Sequence, residues 1–159
     1  MKRGKEIIRE LLPEPRKRGL FYLYSSLALA VIIMAWMFSA LPPGVSRAQS
    51  GWLTALARRL LGTEVSELLL RKLAHFTEYL LLGVLMGLAI KQLGWRKRLA
   101  LAALALALPV AVIDETIQFF SGRGPSIVDV WIDMAGAAAG LMVSWAFLGR
   151  RPKKRGAAT

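Results

Sequence analysis

Four long apolar runs alternate with short polar segments along the chain. They cover about residues 20–41, 71–90, 99–120 and 127–148. Each therefore has the ~20 residues that an α-helix needs to cross a ~30 Å hydrocarbon core. The apolar residues come in continuous blocks rather than in alternation with polar ones. The pattern predicts an all-α, polytopic membrane protein with four transmembrane helices joined by short loops.

The segment between the first two runs is more mixed. From Trp52 to Leu61 its large apolar residues fall on one helical face, with Arg58 and Arg59 opposite. Two interpretations are open from the sequence. The segment is either a helix that lies on the outer membrane surface or a surface helix packed within a small outer loop.

The distribution of basic residues predicts how the chain is oriented in the membrane. The 159 residues carry a formal net charge of +12, and Lys and Arg concentrate in residues 1–19, 91–98 and 149–159. Because basic residues beside apolar runs favour the cytoplasmic side, we expect both termini inside (N-in/C-in). The predicted units are a basic N-terminal segment with a short interfacial helix (1–19), a transmembrane domain (20–148) and a basic tail (149–159).

The same basic segments predict the partners of the chain. Lys and Arg that flank apolar runs contact anionic lipids, so we expect the lipid bilayer as a partner and no nucleic acid. The chain has no cysteine, which excludes disulfide and thiolate chemistry.

Ionisable residues inside the apolar runs are the candidate functional groups. The predicted orientation places the start of the second run, the end of the third and the start of the fourth in the outer leaflet. A charge in a bilayer costs about 2.5 to 3.5 kcal/mol on insertion scales, so charges retained there are usually paired and functional. The predicted ligand-binding residues at this depth are Lys72, His75, Glu78, Tyr79, Asp114, Glu115, Gln118, Arg123, Ser126, Asp129 and Asp133.

Glycines continue two of these polar stripes into the membrane. Small residues spaced by four allow helix backbones to approach closely. We therefore predict a packing seam between the second and fourth transmembrane helices that holds the polar cluster together. Its members are Gly83, Gly87, Gly136 and Gly140.

Single members of the cluster also have purely structural interpretations. Glu115 and Arg123 would form an ion pair, and Asp129 would be a helix-start residue. Lys72 and Arg71 would reach towards lipid phosphates. His75 would tie two helices by a hydrogen bond, which is as strong an interpretation as a chemical role.

Three separated motifs stand out along the chain. The first run ends in Phe38-Ser39-x-x-Pro42, and the second begins with Arg71-Lys72-Leu-Ala-His75-Phe-Thr-Glu78-Tyr79-Leu-Leu-Leu-Gly83. The third motif reads Asp114-Glu115-x-x-Gln118-x-Phe120-x-Gly122-Arg123-x-x-Ser126-x-x-Asp129-Val-x-x-Asp133-x-x-Gly136. Together these motifs resemble the VanZ-like family of bacterial membrane proteins.

The resemblance implies a multi-pass protein of the bacterial cytoplasmic membrane. The namesake of the family is associated with low-level resistance to the lipoglycopeptide teicoplanin. The expected function is therefore a contribution to low-level lipoglycopeptide resistance through a polar outer-leaflet site. That site would bind a lipid-linked or acylated envelope ligand, a lipid or a lipoglycopeptide. An acyl tail would anchor such a ligand in the leaflet that holds the polar cluster.

The alternative function is an intramembrane enzyme that modifies a lipid or cell-wall-precursor headgroup. His75, Glu78, Asp114 and Glu115 are the candidate acids and bases for such a reaction. No cofactor is required by the sequence, but carboxylate oxygens would suit a divalent cation, Mg²⁺ or Ca²⁺ more than Zn²⁺. The candidate metal ligands are Glu78, Asp114, Glu115, Asp129 and Asp133.

A proton or ion relay ranks last among the functions. The acidic residues all lie in the outer half of the predicted spans, and the inner half offers no continuing polar path.

Overall fold

A computed structural model describes residues 14–62 and 66–148, which fold into helices with no strand among them. In chain order the helices are α1 (Arg18–Ser39), α2 (Pro43–Leu61), α3 (Glu67–Gln92), α4 (Lys97–Phe120) and α5 (Ile127–Leu148). All but α2 are long and apolar enough to cross a membrane. The predicted all-α fold with four apolar spans is confirmed. The interfacial helix and the tail predicted from the basic ends lie outside the described residues, apart from residues 14–19.

Helix α2 is longer than the amphipathic stretch predicted from the sequence. It begins at Pro43, whose fixed φ suits the first helical position, and ends before Gly62, which adopts a left-handed φ of 68°. Trp52 is 65% exposed and Leu60 is 75% exposed, so this apolar face is not packed against the bundle. The exposed apolar face favours a helix lying on the membrane surface over the packed alternative.

Helices α3 and α5 form the most closely packed pair, along the predicted glycine seam. A Cβ atom at Gly83 would overlap the backbone of Ala137, and one at Gly140 would overlap the backbone of Leu80. Ser144 Oγ donates to the Val84 carbonyl at 2.9 Å within the same seam. The seam prediction is confirmed, and it fixes α3 against α5 at short range.

Helices α1 and α4 complete the bundle around α3 and α5. Small side chains such as Ala107 and Ala111 on α4 are fully buried. Trp36 on α1 donates from its indole nitrogen to the Val110 carbonyl at 3.2 Å. At one end of the bundle the Arg16 backbone N–H donates to the Gln92 carbonyl at 2.7 Å. The polar residues predicted to form the site lie together at the opposite end.

Candidate functional site

The centre of the polar cluster is formed by one side chain from each of α3, α4 and α5. His75 Nδ1 lies 3.2 Å from Asp133 Oδ1 and 3.7 Å from Asp114 Oδ2. His75 is 6% exposed, Asp114 1% and Asp133 0%. The three helices therefore enclose a histidine between two aspartates in the interior of the bundle.

Gln118 joins this centre to the surrounding polar groups. Its position four residues after Asp114 and three after Glu115 places all three side chains on one face of α4. The Gln118 amide donates to Asp114 Oδ2 at 3.2 Å and to Glu115 Oε1 at 2.9 Å. Its carbonyl oxygen accepts a hydrogen bond from the Arg71 guanidinium. Gln118 is fully buried, so its amide fixes one orientation of these neighbours.

The loop between α4 and α5 folds back onto the cluster through Glu115. Glu115 Oε2 accepts a hydrogen bond from the Ser126 backbone N–H at 2.6 Å, and Gly122 turns the loop with a left-handed φ of 74°. Arg123 then donates to the Phe38 carbonyl on α1 at 3.0 Å. The proposed ion pair between Glu115 and Arg123 is absent from the described residues, because Glu115 is engaged by Gln118 and the loop backbone while Arg123 reaches across to α1.

Lys72 and Asp129 form an ion pair at the rim of the cluster. Lys72 Nζ lies 2.7 Å from Asp129 Oδ1, and the two side chains are 28% and 7% exposed. The Lys72 ammonium is thus directed at α5. Asp129 is in the first turn of α5, as the helix-start interpretation expected, and it also ties α3 to α5.

A cavity of about 530 Å³ opens beside the buried centre, between α1, α2 and α3. We call its charged side chains, together with Ser39 and His75, the polar end; on the α2 side, large apolar residues alternate with Ser46, Gln49 and Ser50. The polar lining includes Ser39, Arg71, His75, Glu78 and Arg123, and the apolar lining includes Phe38, Val45, Trp52, Leu53 and Leu70. We call this space the α2 cavity.

Arg123 brings a second guanidinium close to Arg71 at the polar end of the α2 cavity. Burial lowers the pKa of Arg123 and the neighbouring Arg71 guanidinium lowers it further, while the nearby carboxylates of Asp114, Glu115 and Glu78 act in the opposite direction. Two cationic groups that share one partly buried corner would gain from an anionic ligand between them.

A second cavity, of about 580 Å³, lies on the outer face between α4 and α5. Glu115 and Ser126 are at one end of it, and apolar residues such as Val112, Phe119 and Trp131 form its walls. We call it the α4–α5 groove. It is separate from the α2 cavity in its lining residues.

The structure thus divides the predicted site residues into four groups. His75, Glu78 and Arg123 line the α2 cavity. Tyr79, Asp114, Gln118 and Asp133 are buried behind it. Glu115 and Ser126 line the α4–α5 groove, and Lys72 and Asp129 form the rim pair.

Two residues of the site were not predicted as ligand-binding. Arg71 was interpreted as a lipid contact, yet it lines the α2 cavity and donates to Gln118. Ser39 is buried at the end of α1 and its side chain faces Asp114. Both residues lie in the motifs that carry the family resemblance. That resemblance was the sequence signal that could have identified them as site residues. The apolar wall from α2 had no such signal beyond its amphipathic pattern.

Several buried polar atoms of the site have no hydrogen-bond partner within the described part of the chain. They are Arg71 Nε, Tyr79 Oη, Asp114 Oδ1 and Asp133 Oδ2. Because buried polar groups are nearly always hydrogen-bonded, such a concentration at one place indicates groups poised for a ligand, an ion or water.

Among the predicted metal ligands, the structure brings only Asp114 and Asp133 together, and it adds His75 to them. One candidate ligand atom from each of these residues lies within 4.8 Å of the other two. Glu115 and Asp129 are engaged in the contacts described above, and Glu78 lines the α2 cavity. The arrangement therefore offers one buried nitrogen and two buried carboxylates as a possible ligand set.

Comparison with known proteins bears on the identity of the chain. A family model described as VanZ/LLP1 matches residues 21–148, which include every predicted site residue. No curated protein and no solved structure matches the chain. The VanZ-like family is associated with teicoplanin resistance. Together with the four apolar helices, the match shows that the chain is a membrane protein that belongs to this family.

Proposed function

We propose that this protein binds an anionic, acylated envelope ligand, a lipid-linked precursor or a lipoglycopeptide, in the α2 cavity. The observation that carries the proposal is the lining of that cavity, which combines two guanidiniums with large apolar side chains from α2 and α3. We further propose that it is a multi-pass protein of the bacterial cytoplasmic membrane, with both termini inside and the cavity in the outer leaflet. The basic loop at 91–98 lies at the opposite end of the bundle, which supports this orientation.

The polar end suits an anionic headgroup. Arg71 donates to Gln118 through one terminal nitrogen, while its buried Nε has no partner in the described structure. Arg123 shares the same corner. A phosphate or carboxylate there would accept hydrogen bonds from both guanidiniums. A guanidinium is planar and can donate two parallel hydrogen bonds to such an anion. Glu78, in the same lining, offers an acceptor for a hydroxyl or amine of the ligand.

The apolar wall suits an acyl chain. Leu53 and Trp52 line the cavity from α2, and Leu70 lines it from α3. Trp52 and Leu53 also belong to the exposed apolar face of α2, so the wall continues into the face that would contact lipid. A tail bound along this wall would stay in apolar surroundings while the headgroup met the polar end. The volume of about 530 Å³ lies within the ~300 to 1,000 Å³ typical of small-molecule sites.

A binding measurement on purified protein tests this proposal. The chain would be placed in phospholipid nanodiscs and titrated with fluorescently labelled teicoplanin, with labelled vancomycin as the ligand without an acyl chain. We expect binding of teicoplanin and at least tenfold weaker binding of vancomycin. Arg123→Gln should weaken teicoplanin binding about tenfold, since a hydrogen bond to a charged group contributes about 1.5 to 3 kcal/mol.

A matched variant separates recognition from general charge attraction. Arg59→Gln removes the same charge from an exposed position on α2 and should leave teicoplanin binding within twofold of the unmodified protein. An equal loss in both variants would assign the binding to membrane-surface charge. Binding of vancomycin as tight as that of teicoplanin would contradict the role of the acyl wall.

A second candidate function is supported by the contact between His75 and Asp133. Asp133 holds the Nδ1 side of an imidazole that lines the α2 cavity, an arrangement that orients histidine for general acid–base work. On this alternative the bound ligand would be altered at its headgroup. Incubation of purified protein with envelope lipid extracts, followed by mass spectrometry, would show a new lipid species that the His75→Gln variant does not form. Unchanged lipid in both samples would leave ligand binding as the function.

A further inference from the structure

We propose that His75, Asp114 and Asp133 form a binding site for a divalent transition-metal ion, Zn²⁺ being the first to test. This inference does not depend on the acylated ligand. It rests on the spacing of the candidate ligand atoms, on the balance of charge around them and on the carboxylate oxygens that have no partner.

The spacing of the atoms is close to that of metal ligands. With metal–ligand bonds of about 2.0 to 2.2 Å in tetrahedral geometry, neighbouring ligand atoms lie about 3.3 to 3.6 Å apart. His75 Nδ1 is 3.2 Å from Asp133 Oδ1 and 3.7 Å from Asp114 Oδ2. The three candidate ligand atoms all lie within 4.8 Å of one another, so a small turn of one carboxylate would close the set.

The charge around the cluster favours a cation. Asp114 and Asp133 come from different helices and share only His75 as a basic partner in the ion pairs of the described residues. Lys72 is paired with Asp129, Arg71 donates to Gln118 and Arg123 to a backbone carbonyl. One imidazolium would offset at most one of the two carboxylates. A divalent cation would offset both.

Partnerless oxygens supply the independent observation. Asp114 Oδ1 and Asp133 Oδ2 are buried without a hydrogen-bond partner in the described part of the chain, and Tyr79 Oη, one turn from His75, is also alone. Each of the two aspartates uses its other oxygen towards His75. Carboxylate oxygens left bare in this way are available to coordinate a metal in a monodentate or bidentate mode.

The surrounding groups hold the three ligands in place. Gln118 donates to Asp114 Oδ2 at 3.2 Å, an outer contact of the kind that orients ligating carboxylates. Gly136, one turn beyond Asp133, meets the α3 backbone at Phe76, next to His75. Two of the three ligands are therefore carried by the most closely packed helix pair.

The donor set decides which cation fits. An imidazole nitrogen suits Zn²⁺ and neighbouring transition metals, whereas Mg²⁺ and Ca²⁺ favour oxygen ligands alone. The structure thus shifts the expectation from an all-oxygen site to a mixed site. Three protein ligands would leave a coordination position for water or a ligand oxygen, and His75 also lines the α2 cavity.

Metal content tests the proposal directly. The protein would be purified with an affinity tag that contains no histidine, incubated with Zn²⁺, freed of excess metal and measured by plasma mass spectrometry. We expect about one Zn²⁺ per chain. Asp114→Asn and Asp133→Asn should each lower the bound metal at least tenfold, and Asp129→Asn, which removes the charge of the rim carboxylate and none of the three ligands, should retain it.

Size-exclusion profiles of all variants would identify any that fail to fold. X-ray absorption at the zinc edge of the unmodified protein needs no variant and should show nitrogen and oxygen ligands that include an imidazole. Less than a tenth of a Zn²⁺ per chain in the unmodified protein would overturn the proposal. So would a zinc spectrum without imidazole, or equal metal loss in the Asp129→Asn control.

Discussion

Asp129 and Asp133 lie one turn apart on the same face of α5, yet their surroundings differ completely. Asp129 is at the rim, where its carboxylate meets the Lys72 ammonium at 2.7 Å. Asp133 is fully buried one turn deeper, and its partner is His75 at 3.2 Å. The same residue type at helical spacing thus forms a closed ion pair in one place and an incompletely satisfied centre in the other.

The difference shows where chemistry can take place in this bundle. A lysine on a flexible stem can follow an aspartate at the rim and neutralise it, so the pair has little left to offer a ligand. In the interior no lysine reaches Asp133 in the described structure, and one of its oxygens stays without a partner. We therefore propose a structural role for the rim pair and a functional role for the centre, and mutations at both places can test that distinction.

The largest effect is expected where both aspartates are positioned, at the seam between α3 and α5. Gly140→Ala would place a Cβ against the backbone of Leu80, which neither helix can avoid without shifting. We expect a loss of about 1 to 3 kcal/mol in the free energy of unfolding. Thermal unfolding in detergent would measure it. Gly51→Ala, in a helix position with open space around it, should not lower stability; equal losses in both variants would contradict the seam.

The next effect separates the two aspartates themselves. Asp133→Asn should reduce teicoplanin binding about tenfold, because the His75 ring that lines the α2 cavity would lose the nearer of its two carboxylate partners. Titration in nanodiscs would measure the change. Asp129→Asn should alter binding by less than twofold. A larger loss in Asp129→Asn than in Asp133→Asn would reverse the assignment of roles.

A smaller effect is expected at Glu115, which lies outside the α2 cavity. Glu115→Gln should loosen the loop by weakening the contact with the Ser126 N–H, at about 1 kcal/mol of stability. Teicoplanin binding should fall only about threefold, through the displaced Arg123. Limited proteolysis of the loop and ligand titration would measure the two changes. A full loss of binding would place the ligand in the α4–α5 groove, which Glu115 lines.

The smallest effect is expected at the rim. Lys72→Met would remove the ammonium from a pair whose lysine is 28% exposed and would leave the 7% exposed Asp129 carboxylate without it. We expect a change in apparent melting temperature that corresponds to about 1 kcal/mol or less. The same measurement on His75→Leu should give a larger decrease in melting temperature than Lys72→Met gives. A rim variant less stable than the central one would contradict the comparison.

The fold could be predicted from the sequence because a bilayer imposes strong constraints on length and polarity. Four apolar runs of about 20 residues leave few alternatives to four spans, and the glycines at Gly83 and Gly140 could be assigned to a seam from spacing alone. The start of α2 was less predictable. The amphipathic pattern marked only Trp52 to Leu61, whereas the helix already begins at Pro43. Proline is common both after helix ends and at helix starts, so the residue by itself could not place this boundary.

The residues of the site could be predicted from the sequence better than the contacts between them. Helical spacing and depth selected His75, Asp114 and Asp133, which the structure brings together. Spacing within a helix carries no information about which residue of another helix lies opposite. For that reason the pairing of Lys72 with Asp129 and the contact of Arg71 with Gln118 were not foreseen.

The most direct test of ligand binding in the α2 cavity is to locate the bound ligand. A photoreactive benzoyl-phenylalanine would be introduced at Leu53, on the wall of the α2 cavity, and in a separate sample at Trp131, in the α4–α5 groove. After illumination with teicoplanin, mass spectrometry would count the cross-linked chains. We expect cross-linked teicoplanin at position 53 and little at position 131. Cross-linking at position 131 with none at 53 would contradict this expectation.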